Sequence, residues 1–384
     1  RGAKVENILS YERDFADTHT VKLEQNYRST SNILNAANAV IARNAERLGK
    51  ELWTDSGEGE SIALYAAFNE HDEARYIADR LQSWFNEGNR REDSAILYRS
   101  NAQSRVLEAA LLQADIPYRI YGGQRFYERL EIKNALSYLR MVLNCHDDVA
   151  FERVVNVPPR GIGDRTVETI RALARERDTS LWSAAAAIVS EKRMAARATN
   201  AVALFIELIN EMSGQLDELP LVEQAENAIQ LSGLVDMHRR EKGERGQARV
   251  ENLEELVNAC RNFEAEDNDL PVLPQFLDQV ALDSGDRQAD EDQDAVQLMT
   301  LHSAKGLEFP RVYMVGMEEG LLPHKRAVDE EGSAIDEERR LCYVGITRAQ
   351  DHLTLTRAAA RKKWGKKRLS IPSRFIREMR GKDD

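Results

Sequence analysis

The sequence predicts an α/β protein: a parallel-sheet domain interrupted by an all-helical insertion. Three features carry that expectation. Up to Tyr121, β-rich runs alternate with amphipathic segments of helical length, the pattern of βαβ units. From about Ile132 to Leu282 the only periodicity is 3.6 residues, with no β-rich run. After an acidic stretch at 284–294, strand-like runs return.

Residues 1–20 are irregular in pattern. Val21–Tyr27 reads as a strand, and Ser29, Thr30 and Ser31 then offer N-caps for an amphipathic helix over Ser31–Ala45. Ile62–Ala67 is a strand, Glu70–Trp84 a helix, Ser94–Arg99 a short buried strand, Gln103–Gln113 a helix and Pro117–Tyr121 a strand. Gly122 and Gly123 end this part. The insertion reads as helices at Ile132–Leu143, Ala150–Val155, Thr166–Arg177, Leu181–Ser190, Ala195–Leu216, Leu221–Glu241, Arg249–Glu264 and Leu273–Asp283. Strands follow at Val296–Leu301 and Val312–Val315, then a helix at Glu337–Ala349 and a strand at Leu353–Thr356. The domain limits are 1–121 and 292–384 for the sheet domain, with 122–291 inserted between them.

The chain has 384 residues, enough for two or three domains, and is 42% apolar and 31% charged, a soluble globular composition. No run approaches the roughly 18 apolar residues of a membrane span, so no membrane partner is expected. Cys145, Cys260 and Cys342 lie far apart without metal spacing and read as buried or neutral thiols of a reducing cytoplasm. A net charge of −12 does not exclude nucleic acid, because the acid is concentrated at 263–270 and 283–294. Basic residues gather at 105–129, 153–177 and 361–368, and binding follows the local field.

Three stretches carry chemistry. EERRLCYVGITRA at 337–349 places Leu341, Val344 and Arg348 on one helical face, so Arg348 could be held rigidly as a planar fork for a phosphate oxygen. The bland alternative is a solvated charged face. LEQNYRSTSNIL at 23–34 sets Tyr27 beside Arg28. AVQLMTLHSAKGLEFPRVYMVGM at 295–317 places His302, Lys305, Gly306 and Glu308 between two β-rich runs. No GxxxxGK[ST] loop occurs, and the Asp336–Arg339 stretch lacks the apolar strand that would position it, so no metal site is expected here.

In the insertion, Gly161-Ile162-Gly163 within NVPPRGIGDRT would let backbone N–H groups approach a phosphate at the start of the Thr166 helix. Arg160 and Arg165 add charge, and a tight interhelical turn is the plainer alternative. RKKWGKKR at 361–368 reads as a solvated β-hairpin turn with Trp364 packed on the sheet, in preference to a strand-tracking stripe.

Taken together and in order, the three long motifs resemble those of superfamily 1A DNA helicases of the UvrD, PcrA and Rep type. The resemblance covers nearly the whole chain and implies the second RecA-like motor domain, a P-loop NTPase-type domain lacking the P-loop, with its helical insertion. Arg1-Gly2-Ala3 resembles the end of a motif of the preceding motor domain. The resemblance implies that Tyr27 stacks on adenine and that Glu308 bonds the ribose hydroxyls. It makes Arg28 and Arg348 the catalytic arginines at the γ-phosphate, and ATP with Mg²⁺ the cofactor, the Mg²⁺ ligands lying in the other motor domain. Thr300, His302 and Lys305, and more weakly Arg99 and Asn101, would contact single-stranded DNA. Arg160, Gly161, Ile162, Gly163 and Thr166 would contact the duplex side of a junction. The implied enzyme is a cytoplasmic ATP-dependent 3′-to-5′ helicase that unwinds DNA in nucleotide excision and mismatch repair and meets the proteins of those pathways. This stretch alone is expected to be inactive. The alternatives are a PcrA- or Rep-type helicase of replication or recombination, and a non-enzymatic DNA-binding or regulatory module on the same fold.

Overall fold

Six parallel strands form one sheet in the order β1 (Ala63–Ala67), β6 (Ala349–Ala358), β5 (Phe309–Met314), β2 (Ser94–Tyr98), β4 (Val296–Thr300) and β3 (Tyr118–Ile120), flanked by helices on both faces. The computed structural model describes residues 14–15, 19, 21, 23–44, 51–216, 218–267, 269–285, 289 and 293–381. Arg1-Gly2-Ala3 and most of the acidic stretch at 284–294 lie outside the described residues.

The first part of the sheet domain comprises α1 (Ser31–Ile41), β1 (Ala63–Ala67), α2 (Glu70–Asn86), β2 (Ser94–Tyr98), α3 (Ser104–Gln113) and β3 (Tyr118–Ile120). α2 starts where Asn69 accepts from the N–H groups of His71 and Asp72, and Glu70, Asp72 and Glu73 add negative charge to its first turn. β2 is buried at all five positions, as a central strand covered on both faces must be. α2 and α3 cover one face, through Ile77, Leu81, Leu107 and Leu111.

The second part brings β4 (Val296–Thr300) and β5 (Phe309–Met314). α14 (Ser333–Ile346) leads into β6 (Ala349–Ala358), and α15 (Arg374–Met379) follows later. α1, α14 and α15 cover the other face, over Leu97, Met299, Val312 and Leu353. A Cβ on Gly345 of α14 would stand 2.5 Å from a methyl carbon of Leu301, so this helix approaches the sheet only because position 345 is glycine. In β5, Pro310 sits at a shift in the pairing with β6, where its missing N–H costs no ladder bond.

Between β3 and β4 the named elements are helical: α4 (Leu130–Leu143), α5 (Asp148–Val154), α6 (Asp164–Arg177), α7 (Leu181–Glu191), α8 (Ala196–Gly214), α9 (Leu221–Leu231), α10 (Leu234–Arg239), α11 (Glu244–Asn262) and α12 (Val272–Gly285). They surround their own core, which includes Tyr138, Phe151, Phe205 and Leu256. The single helix expected over Leu221–Glu241 is two, because Gly233 takes φ 81° after Ser232 and turns the axis. None of the helices is long and apolar enough to cross a membrane, among the described residues.

α11 joins the insertion to the sheet domain through a polar stripe. Glu251, Glu255, Asn258 and Asn262 share one face. They meet Ser100 and His324, Arg105, the carbonyl of Lys362, and the ammonium of Lys362 in turn. The hairpin β7 (Ala360–Lys363) and β8 (Lys366–Leu369) rests on the same helix. Trp364 therefore packs against the helical core, correcting the expectation that it lies on the sheet. Two further corrections concern local structure. Val21–Tyr27 is not a strand among its described residues: only Gln25 makes a bridge, to Trp53. The Asn26 side chain accepts from the N–H groups of Arg28 and Ser29, an Asx turn that takes the chain out of any ladder. α13 (Lys325–Glu330) and α15 were not expected from sequence; each is six residues long, too short for a periodic signal.

Candidate nucleotide-facing site and nucleic-acid interface

α14 ends at Ile346, so Arg348 is not carried on the helix as the periodicity suggested; it lies in the turn that leads into β6. The hydroxyl of Thr347 donates back to the carbonyls of Tyr343 and Val344, which closes the last turn. Arg348 is nonetheless well fixed. It is 9% exposed, and its guanidinium donates to the carbonyls of Val344 (3.0 Å) and Leu307 (2.9 Å) and to Oγ1 of Thr347 (3.0 Å). These acceptors are neutral. Burial lowers the Arg348 pKa, and the neighbouring charge of Arg28 lowers it further. An arginine held this way keeps a charge that no bonded carboxylate offsets.

The segment 26–30 is stitched to the same turn. The hydroxyl of Ser29 donates to the carbonyl of Ala349 (2.6 Å), and the N–H of Thr30 to that of Gln350 (3.2 Å). Arg28 then reaches across to Glu308, with Nε 2.5 Å from Oε2, and its Nη1 donates to the carbonyl of Thr347 (3.4 Å). Hydrogen bonding from Arg28 holds the Glu308 carboxyl below its ordinary pKa. Tyr27 stands beside this cluster with 82% of its surface exposed; its hydroxyl donates to Oε1 of Gln25 (2.7 Å). All four residues expected around a nucleotide are thus brought together: an open aromatic face, a half-exposed carboxylate and two guanidinium groups.

The strands are parallel, so Glu308, just before β5, marks the amino edge of the sheet, while Thr300, closing β4, marks the carboxyl edge. Residues 301–308 span the distance between the two edges. At the carboxyl edge a cavity of about 380 Å³ is lined by Arg99, Asn101, Thr300 and His302 together with Glu244, Glu337 and Glu338. The Thr300 hydroxyl pairs with that of Ser303 (3.0 Å). His302 is exposed, and partial burial of its ring together with the charge of Arg99 lowers its pKa. Lys305 is exposed and does not line this cavity. Arg99 is not an open phosphate ligand here: its Nε donates to both oxygens of Glu338 and its Nη2 to Glu338 and Glu244, with 10% of its side chain exposed. Asn101 sits in a one-turn 3₁₀ segment, its carbonyl accepting from Arg129.

The insertion loop lies apart from both edges. Gly161 has φ 82°, and a Cβ there or at Gly163 would meet nothing within 4 Å. The positive φ that the turn requires falls on Gly161, while Gly163 is extended, with φ −81° and ψ 175°, and forms the N-cap of α6. As a glycine, the cap offers no side-chain bond to the first N–H groups of α6, and Asp164 and Arg165 beside it are exposed. Ile162 is buried as the anchor of the loop, and Thr166 donates its N–H to the Gly163 carbonyl. Arg160 is turned inward: its guanidinium donates to the carbonyls of Pro158 and Ser232 and lies over the Tyr138 and Phe205 rings. It shapes the loop and is not presented to a ligand.

Sequence reasoning missed Gln350, whose side chain donates to Glu308, and the seam residues Ser100, Glu251 and His324. A lone glutamine after a motif gives no local signal, and the seam pairs are distant in sequence.

A six-stranded parallel sheet with helices on both faces, its two edges joined by a short crossing segment, is the organisation of a RecA-like domain. The chain matches the family of the UvrD-like helicase C-terminal domain over residues 21–360, and it belongs to that family. It is 57% identical over 381 residues to DNA helicase II of Escherichia coli (strain K12), covering 99% of this chain and 53% of that protein. It is 52% identical over 381 residues to DNA helicase II of Haemophilus influenzae, covering 99% of this chain and 52% of that protein. It is 44% identical over 384 residues to the ATP-dependent DNA helicase PcrA of Staphylococcus epidermidis, again covering 99% and 52%. The chain spans about half the length of these relatives.

Proposed function

We propose that this chain supplies the second motor domain and the insertion of an ATP-dependent 3′-to-5′ DNA helicase that moves along single-stranded DNA and opens duplex. The domain limits would be 1–121 and 292–384 for the motor domain and 122–291 for the insertion. The observation that carries the reading is the clustering of exposed Tyr27 with the Arg28–Glu308 pair beside Arg348, whose guanidinium would exchange the Val344 and Leu307 carbonyls for a phosphate. The residues suit ATP. Tyr27 would hold the base, Glu308 the ribose hydroxyls, and Arg28 and Arg348 the terminal phosphate. The nucleotide brings the phosphoryl group whose developing charge the two guanidiniums would stabilise once the cleft closes. Mg²⁺ would be held by carboxylates of the partner motor domain.

Thr300, His302 and Lys305 would track one strand at the other edge, with the Gly161–Gly163 loop on the duplex side of a junction. Identity is higher to DNA helicase II than to PcrA, which favours work in nucleotide excision and mismatch repair, in the cytoplasm, with the proteins of those pathways. The test is Arg348→Ala in the intact protein. Nucleotide binding should largely persist while DNA-stimulated turnover falls by about 10³-fold, the scale of an arginine finger. Near-normal turnover would remove Arg348 from the site.

A further inference from the structure

The two oxygens of Glu308 have different partners. Oε2 accepts from Arg28 at 2.5 Å, and Oε1 accepts from the side-chain amide of Gln350 at 3.0 Å. Gln350 is the second residue of β6, and its carbonyl is already tied to the N–H of Thr30. One oxygen of Glu308 is therefore attached to the sheet, and the other to a flexible arginine. The two contacts differ in kind as well, since the amide is a neutral donor and the guanidinium a charged one.

We propose that Gln350 is a positioning residue that makes Glu308 a selector for an intact ribose. The inference rests on the reading of this cluster as a nucleotide site. When Arg28 turns to a phosphate, Oε2 loses its partner. A glutamate side chain that is 47% exposed would then rotate freely and lose that rotamer freedom on meeting a sugar. Gln350 removes that freedom, because Oε1 stays pinned to β6 and the plane of the carboxylate is fixed before the ligand arrives. A fixed carboxylate can accept from both hydroxyls of a vicinal diol and from only one in a 2′-deoxy sugar. A positively charged side chain at 350 would hold Glu308 as firmly but offset its charge. A carboxylate there would repel it. Glutamine fixes the geometry and leaves the charge for the sugar.

The experiment uses the intact protein and equilibrium binding, with the non-hydrolysable ATP analogue AMP-PNP and its 2′-deoxy form, which keep a terminal phosphate for Arg28, displacing a fluorescent nucleotide. Gln350→Met keeps the side-chain volume and removes the donor. Affinity for AMP-PNP should drop by about fivefold, the worth of one hydrogen bond, while affinity for its 2′-deoxy form changes little, so the preference for ribose shrinks. Gln350→Lys, which pins Glu308 but offsets its charge, should restore only part of that preference. A purely structural glutamine would weaken both nucleotides together, and that result, or no change in either, overturns the inference. Glu308→Gln separates the two layers. If it abolishes the ribose preference while Gln350→Met does not, the positioning role alone is wrong. If it leaves the preference intact, Glu308 is not the sugar ligand and both readings fall.

Discussion

Glu73 of α2 holds Arg361 of β7 at 2.5 Å, and Glu318, in the loop after β5, grips the same guanidinium from the other side at 2.7 Å. Glu73 also accepts from the Gly316 N–H and the Thr356 hydroxyl, and Glu318 from the Ala358 N–H. Burial opposes the Arg361 charge, but the two carboxylates more than offset it and raise its pKa above the ordinary arginine value. This knot joins the outer helix, the end of the sheet and the hairpin that seats the insertion.

Arg361→Met should therefore cost stability well beyond that of a surface arginine. It leaves two carboxylates buried without a cation, a situation worth about 3–5 kcal/mol. The melting temperature of the intact protein should fall clearly, and Arg361→Lys, which keeps the charge and loses the fork, should fall less. A variant as stable as the parent would show that the carboxylates find solvent or protons at little cost.

The seam gives a pH prediction. Burial pushes the Glu251 carboxyl up, but the bonds from His324 (2.8 Å), Ser100 (2.5 Å) and Gln247 bring it down to about 2. A carboxyl whose folded pKa is depressed contributes stability that is complete above its unfolded pKa of about 4.3. That contribution fades as pH drops from there through about 2. Glu251→Gln should lower the melting temperature at neutral pH and make melting less steep in pH across this acid window. An unchanged acid limb in the variant would mean that Glu251 is not a determinant of the seam.

His302 and Lys305 should differ in salt dependence although both lie in the crossing segment. The lowered pKa of His302 leaves the ring neutral at pH 7.5, so His302→Ala removes a hydrogen-bonding partner and no charge. Its affinity for single-stranded DNA should fall without a change in the slope of log affinity against log salt. Lys305→Ala should reduce that slope by about 0.7, the release of one counterion from a single strand. Equal slopes for the two variants would contradict the assignment.

What the sequence disclosed follows the range of the interactions. β2 was legible because a central parallel strand is an almost wholly apolar, fully buried run. Tyr27, Arg28, Glu308 and Arg348 were legible as a set because each lies in a dense local motif. Their pairing was not, since Arg28 and Glu308 stand 280 residues apart. Arg99 looked like an open phosphate ligand because its carboxylate, Glu338, is 239 residues away, and Arg160 looked exposed because its acceptor on Ser232 is 72 residues away. Val21–Tyr27 has strand composition, but a single Asn26 side chain outbids the ladder for two N–H groups. Periodicity places elements well and says little about which charges are already spent.

The insertion loop offers the cleanest separation of a ligand contact from a fold effect. A side chain at Gly163 would meet nothing within 4 Å, and the residue is extended, so Gly163→Val should leave the helical insertion folded, which circular dichroism can check. The added branched side chain would, however, stand over the uncapped N–H groups at the start of α6, which are the groups a duplex phosphate would need. Affinity for a 3′-tailed duplex should therefore fall relative to single-stranded DNA at the same salt, and the extra salt dependence of the junction should shrink. Gly161→Val is the contrasting variant: its φ of 82° is costly for a branched residue, so it should unfold the turn and lower thermal stability as well. If Gly163→Val weakens tailed duplex and single strand alike, or neither, the loop is only an interhelical turn.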